Sequence, residues 1–495
     1  MTTTATTRYE AVIGLEVHSQ LLTASKMFCP CSAAYAYGPP NSHVCPICMG
    51  MPGVLPVINR RAVEFTVMTG LALNCEIPAR AKFDRKNYPY PDLMKGYQVS
   101  QYDMPLCVGG WLEVEVDGTT RRLGITRVHL EEDTARLLHR DAEGEAYSLL
   151  DINRSGVPLM EIVSEPDMRS AEEARAYLVK LRQILQYIGV SAANMEEGNF
   201  RCDANISLRP FGASEFGAKV EVKNMNSFRS VFRALEYEME RQAAALDAGE
   251  RIPQETRGWL EVEGKTASQR SKEQAHDYRY FPEPDLPPLE LTADFVDEVR
   301  AKLPELPLDR LQRFQNEYGL GHHEAALLTE ARATADYFES AARAGQLGDA
   351  KRRAQGVANW MLGDFAHALD GTPYAESRIS SEELSKLVDL MESGQITSKI
   401  AKSVFRTMFD EGGDPATIIE REGLAPISGG GEIDEAAARV LAANPAAVAD
   451  FRSGKDTVIR FLVGQLMKET RGRANPQAAE EALRAQLAAP NGAPQ

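Results

Sequence analysis

Up to about Phe281 the chain is written in short runs that alternate apolar and polar residues, and this period of two constrains the fold more than any other feature. Ile13, Leu15 and Val17 alternate with Gly14, Glu16 and His18. Leu112, Val114 and Val116 alternate with Glu113 and Glu115, and the turn signal Asp117-Gly118 follows, so a hairpin is expected there. Phe200, Cys202, Ala204, Ile206 and Leu208 are interleaved with Arg201, Asp203, Asn205 and Ser207, and a fourth run does the same from Ala218 to Lys223. Strands of a doubly wound parallel sheet are buried on both faces and read as continuous apolar runs. Clean alternation instead predicts a mainly antiparallel sheet with one solvated face.

Two helices interrupt this pattern. One is expected from Ala171 to Ile188, with a Ser170/Glu173 capping box, a stripe of Tyr177, Leu178, Leu181, Leu185 and Ile188, and Gly189 as its stop. The other runs from about Ser227 to Leu246. The proline-rich stretch from Phe281 to Pro288 marks a boundary, and the segments beyond it have helical spacing, including one with a Ser380/Glu383 capping box. The expected class is α+β: a sheet domain over residues 1–290, an all-α domain over 291–410, and a small helical tail over 411–495.

A chain of 495 residues with 43% hydrophobic content can bury a large core. No run approaches the roughly 18 apolar residues of a membrane span, and the polar start has no secretory h-region, so a cytoplasmic protein without membrane contact is expected. The net charge of -16 excludes a surface coated for nucleic-acid binding, though not a local patch. Such a patch stands between Arg452 and Arg473, where Arg452, Lys455, Arg460, Lys468, Arg471 and Arg473 outnumber Asp456 and Glu469. An ordinary solvated helix face is the alternative reading of that excess.

Cys29-Pro-Cys31 and Cys45-Pro-Ile-Cys48 place four thiols in two close pairs, the ligand count of a closed tetrahedral zinc site. An iron–sulfur cluster is the alternative. On the polar side of the strands, Glu16 and His18 share a face, Asp203 lies between Arg201 and Asn205, and further carboxylates stand at Glu131, Glu132, Asp133 and Glu161. Carboxylates converging on one sheet face suit a hard cation such as Mg²⁺. The chain carries no Walker A run, no nucleotide-binding glycine fingerprint and no Gly-x-Ser-x-Gly elbow. Any use of ATP must then rest on a sheet face with carboxylate-held metal.

These same segments resemble the GatB family, one of the components of the tRNA-dependent amidotransferase. The resemblance rests on Val12-Ile13-Gly14-Leu15-Glu16-Val17-His18, the segments from Lys82 to Tyr88 and from Tyr97 to Tyr102, and Val128-His129-Leu130-Glu131-Glu132-Asp133. It continues through Pro158 to Asp167, Arg201 to Asn205, Asp277 to Asp285, and Phe461-Leu462-Val463-Gly464-Gln465.

The resemblance implies a cradle-like catalytic domain, a helical domain and a tail similar to YqeY proteins. It also implies a chemistry: ATP phosphorylates the side-chain carboxylate of Glu-tRNA(Gln) or Asp-tRNA(Asn), and ammonia made from glutamine displaces the phosphate. The ammonia would come from an amidase A subunit, in a heterotrimer completed by a small C subunit. Family motifs assign Glu16, His18, Glu132 and Glu161 to the Mg²⁺ and phosphate site, with Asp203 beside them, and the cysteine quartet to Zn²⁺. Strand alternation alone does not choose between Glu131 and Glu132, because Val128, Leu130 and Glu132 share a face unless a bulge intervenes; the resemblance picks Glu132. Lys86 and Lys95 are candidates for phosphate contact or the ammonia route, or are surface lysines. Arg460, Gly464, Lys468, Arg471 and Arg473 are the candidates for tRNA contact. The competing readings are a non-catalytic zinc-containing tRNA-binding subunit and a free-standing ligase that uses ammonia directly.

Overall fold

The computed structural model describes residues 8–142, 145–271, 278–346, 349–424, 430–470 and 473–488. The chain forms two compact units, Met1–Leu306 and Pro307–Gln495. In chain order the first unit contains β1 (Tyr9–Gln20), β2 (Arg80–Ala81), β3 (Asp84–Asn87), β4 (Tyr97–Ser100), β5 (Cys107–Val108), β6 (Trp111–Val116), β7 (Thr119–Glu132) and β8 (Arg136–Ala142). It continues with β9 (Glu145–Asp151), β10 (Pro158–Ser164), β11 (Phe200–Pro210), β12 (Val220–Met225), β13 (Glu255–Leu260), β14 (Lys265–Ser271), β15 (Phe281–Pro282) and β16 (Leu289–Glu290). Its helices are α1 (Arg60–Ala72), α2 (Ala171–Tyr187), α3 (Phe228–Asp247) and α4 (Ala293–Ala301).

The main sheet has the order β14-β13-β12-β11-β1-β10-β7-β5, with β6 also paired to β7. Every pairing in it is antiparallel except β12 with β13, which are joined through α3 and run parallel. The four alternating runs all become strands, and their apolar members point to one side. Ile13, Leu15, Val17, Ala204, Ile206, Val220 and Val222 are buried there with Tyr177, Leu178, Leu181 and Leu185 of α2 and Val231 and Leu235 of α3. The expected β6–β7 hairpin forms, and Asp117 and Gly118 both take positive φ, 51° and 70°, as its two-residue turn requires.

Ser170 caps α2 by accepting the Glu173 amide, but the Glu173 carboxylate accepts the amide of Arg169 at 2.8 Å, so only half of the expected capping box exists. A short three-stranded sheet β15–β3–β4 and the pair β16–β2 form apart from the main sheet, and β8–β9 is a separate hairpin.

The second unit is helical: α5 (Pro307–Tyr318), α6 (His322–Leu328), α7 (Arg332–Ala344), α8 (Ala350–Trp360), α9 (Ala366–Leu369), α10 (Ser381–Glu392), α11 (Ser398–Glu411) and α12 (Pro415–Arg421), then α13 (Gly430–Ala443), α14 (Pro445–Arg452), α15 (Ile459–Glu469) and α16 (Pro476–Ala488). The reciprocal Ser380/Glu383 box opens α10. The stretch from Glu324 to Ala344 reads as one helical segment but divides at Thr329, whose hydroxyl donates to the Ala325 carbonyl. Two apolar cores form here without shared residues, one around Phe314, Phe338 and Phe365 and one around Ala437, Leu462 and Leu483.

Candidate active site

On the face opposite the helix-covered core, strand register lines up charged side chains from four strands. His18 of β1 lies opposite Glu161 of β10 and Arg201 of β11, and Glu161 lies opposite His129 of β7. The next row along the strands holds Arg127, Val163, Glu16 and Asp203. Glu131, two residues beyond His129, points to the same side because side chains on a strand alternate.

The His18 Nε2 atom stands 3.4 Å from Glu161 Oε2 and 3.6 Å from Glu131 Oε1. His129 Nε2 lies 3.3 Å from Glu161 Oε2. His18, Glu131 and Glu161 each offer a ligand atom within 4.8 Å of the other two. Burial disfavours the imidazolium of His129, but the Glu161 charge and the Glu131 contact outweigh it, and its pKa is pushed up to about 9. Burial opposes charge on His18 as well, and Glu161 and Glu131 again turn the balance upward. Both carboxylates resist burial yet sit below the usual range, Glu161 through the two imidazoles and Glu131 through His129 and the Lys86 charge. Two buried carboxylates side by side with an imidazole are a donor set that fits a divalent cation.

This group lies in a cavity of about 650 Å³. Among the other groups that line it are Lys86, the tyrosines Tyr88, Tyr278 and Tyr280, and the cations Arg127, Arg201 and Lys223. The Lys86 ammonium sits 5.0 Å from the Tyr278 ring centroid and 6.0 Å from that of Tyr88. Tyr280 stacks on Tyr102 with centroids 4.4 Å apart.

Of the expected residues, His18 and Glu161 meet, and Glu16 and Asp203 line the same cavity but stand outside the three-residue group. Glu16 accepts a hydrogen bond from Asn205 at 2.8 Å, and Asp203 takes the Lys223 ammonium at 2.5 Å. Glu132 does not join the group. Its neighbours Val128 and Leu130 are fully buried on the core side, no bulge reverses the alternation between Val128 and Glu132, and so Glu131 faces the cavity. Glu132 instead pairs with Lys95 and accepts the Val99 amide at 3.0 Å. These two residues line a second cavity of about 230 Å³ beside Cys29 and Cys48. Lys86 and Lys95 therefore serve different cavities. Sequence reading passed over His129 and Arg127, although the alternation that placed Glu16 with His18 places both of them beside Glu131.

Comparison with known proteins matches residues 11–297 to the GatB/GatE catalytic domain and residues 336–487 to the GatB domain. The chain belongs to the GatB family. It is 57% identical to the B component of the aspartyl/glutamyl-tRNA(Asn/Gln) amidotransferase of Dehalococcoides mccartyi strain CBDB1, over 97% of this chain and 99% of that protein. The proteins of the same name from Thermomicrobium roseum and Carboxydothermus hydrogenoformans are 57% and 53% identical, each over 97% of this chain and 99% of their own length. The cavity thus belongs to the part matched by the family's catalytic domain. Among the described residues no helix is long and apolar enough to cross a membrane.

The same domain carries the cysteine quartet. Cys29, Cys31, Cys45 and Cys48 place their sulfurs within 4.8 Å of one another, and all seven cysteines are free thiols. The Cys45 amide points at Cys48 Sγ at 3.2 Å, and the fully buried Lys26 lies close enough for its charge to stabilise that thiolate. Four gathered thiols, an amide aimed at sulfur and a nearby cation are a donor set that fits zinc.

In the GatB domain, Arg460, Gly464 and Lys468 are exposed along one side of α15, each one turn from the next, while Ile459, Leu462 and Leu466 are buried. A Cβ at Gly464 would meet nothing within 4 Å. Arg473 is half-buried, and its Nε donates to the Thr470 carbonyl at 3.4 Å. Arg471 lies outside the described residues.

Proposed function

We propose that this chain is the ATP-using subunit of an aminoacyl-tRNA amidotransferase that converts Glu-tRNA(Gln), Asp-tRNA(Asn) or both to the amidated forms. The carrying observation is the cavity in which His18, Glu131 and Glu161 converge. Its support is the likeness to relatives named for that activity over nearly their whole length.

A carboxylate is a poor electrophile, so it needs a leaving group before an amine can replace its oxygen. A carboxylate oxygen of the tRNA-borne side chain attacks the γ-phosphorus of ATP, the bond to the β–γ bridging oxygen breaks, and ADP leaves with the electron pair. Ammonia then attacks the acyl carbon, phosphate departs, and nitrogen gives up a proton. His18, Glu131 and Glu161 would hold Mg²⁺, which supplies charge neutralisation for the phosphate chain. Glu16 and Asp203 shape the floor next to them, and Lys86 contributes positive charge to the cavity. Tyr88, Tyr278 and Tyr280 wall off one side and limit the water that would hydrolyse an acyl phosphate.

Ammonia comes from glutamine hydrolysed in an A subunit, with a small C subunit completing the heterotrimer, and Lys95 and Glu132 lie in a separate cavity suited to its passage. Zn²⁺ on the cysteine quartet is structural. The exposed side of α15, with Arg460, Gly464 and Lys468, and Arg471 and Arg473 beyond it, contacts the tRNA backbone. The three-domain division at residues 290 and 410 belongs to this reading.

The test is Glu161→Gln in the reconstituted complex, assayed for ATP-dependent conversion of Glu-tRNA to Gln-tRNA. Loss of conversion with tRNA binding retained is the expected result. Normal turnover would remove the site from consideration, and activity of this chain alone would show that no partner is needed.

A further inference from the structure

The cavity holds four lysine and arginine side chains among the described residues, and their partners differ. Arg201 Nη2 donates to Asp133 Oδ2 at 2.8 Å, although its Nε has no acceptor. Lys223 contacts Asp203 at 2.5 Å and Glu221 at 3.3 Å. Lys86 is surrounded by tyrosine rings close to the Glu131 and Glu161 charges. The Arg127 side chain has neither an ion pair nor a hydrogen bond with any described residue, and its Nε is fully buried without an acceptor.

Leaving guanidinium donors buried and unmatched is costly, and folded proteins arrange it where a ligand completes the bonds. The backbone shows how the side chain comes to be there. The partner of β10 jumps from Arg127 at Val163 to Ile125 at Ser164, which leaves Thr126 as an extra residue in β7. Its hydroxyl donates to Glu165 at 2.8 Å. From Arg127 to Glu132 the register is regular, so alternation puts Arg127 on the same face as His129 and Glu131, directly after the bulge.

We propose that Arg127 binds the phosphate chain of the nucleotide, and thereby sets the direction in which the reactants lie across the cavity. This rests on the reading of the chain as the ATP-using subunit. Arg127 and Glu131 are separated by about 13 Å along β7 at the usual rise per residue, with His129 between them. His18, His129 and Glu161 form the row between Arg127 and Glu131, and the Lys86 charge acts on Glu131 more than on Glu161, which sets Lys86 and its tyrosines towards the Glu131 end. A planar guanidinium offers paired donors to phosphate oxygens, which a polyphosphate can fill. The tyrosine-walled end suits the carboxylate that becomes an acyl phosphate, because that group must be kept from water. ATP thus enters on the side of Arg127, Glu16 and Asp203, and the aminoacyl end on the side of Lys86.

Steady-state kinetics of the reconstituted complex with Arg127→Gln test this. The KM for ATP rises roughly ten- to hundredfold, as expected for loss of a charged hydrogen-bond donor, while the KM values for aminoacyl-tRNA and glutamine stay within about twofold of wild type. Arg127→Lys recovers part of the loss. An unchanged KM for ATP, or a rise confined to aminoacyl-tRNA, overturns the assignment. Should Arg127→Gln fail to fold, calorimetric titration of the Arg127→Lys complex with a non-hydrolysable ATP analogue decides: weakened binding supports the proposal and wild-type affinity refutes it. If the wild-type complex binds the analogue through Arg127 but never amidates tRNA, the functional reading fails and the nucleotide site stands.

Discussion

Among its described residues the catalytic domain has two side-chain groups fit for a metal ion, and they are built in opposite ways. Cys29, Cys31, Cys45 and Cys48 come from one short loop-rich segment, whereas His18, Glu131 and Glu161 come from three different strands. The first group is written as spacing along the chain. The second exists only because β1 lies between β10 and β11 and because β7 pairs with β10 in one particular register. A local site depends on its ion to hold a loop together; a site on a sheet inherits its geometry from the core behind it.

That difference can be broken experimentally, and the largest effect is expected at Glu131. Glu131→Gln in the reconstituted complex lowers transamidation at least about a hundredfold, the scale seen when a charged group at a phosphoryl site is removed, with little change in the melting temperature. Glu132→Gln should do the reverse. It strands the largely buried Lys95 ammonium and costs about 3 kcal/mol of stability in denaturant titration, while the folded fraction turns over normally. Loss of turnover in Glu132→Gln at wild-type stability would restore Glu132 to the site.

Cys31→Ser comes next. Zinc content measured by atomic absorption falls, proteolysis within residues 29–48 quickens, and activity declines less than about tenfold because the sheet behind the cavity is untouched. Full zinc content in this variant would exclude the quartet as the ligand set.

The smallest effect is a pH slope. The His129 pKa of about 9 lies above its ordinary value of 6.5. Its contribution to the stability of chelator-treated protein is therefore complete below about pH 6.5 and is lost as pH rises through about 9. Thermal melts of wild type and His129→Gln across that range measure it. If the two curves stay parallel, the imidazole carries no such charge in the fold.

Much of this was legible before any coordinates. The quartet, the alternating strands, the β6–β7 turn and the helices α2 and α3 follow from local chemistry, and local chemistry survives folding. Alternation also placed Glu132 with Val128 and Leu130, on the side that is buried. Preferring motif resemblance to that simple parity selected Glu132, whereas it is Glu131 that gathers with His18 and Glu161. What no pattern could supply was strand order: nothing in the sequence near Arg127 says that it stands beside Val163, or that Thr126 bulges out just before it. The partition of Lys86 and Lys95 between two cavities was hidden for the same reason, since it depends on where β3 and β4 settle against β7.

The second unit's two apolar cores share no residue. Each is a separate oil drop, free to loosen on its own schedule under heat or denaturant. Melting followed at the far carboxyl end should therefore precede or trail melting followed at Trp360, so damage confined to the last helices would leave the core around Phe314, Phe338 and Phe365 intact.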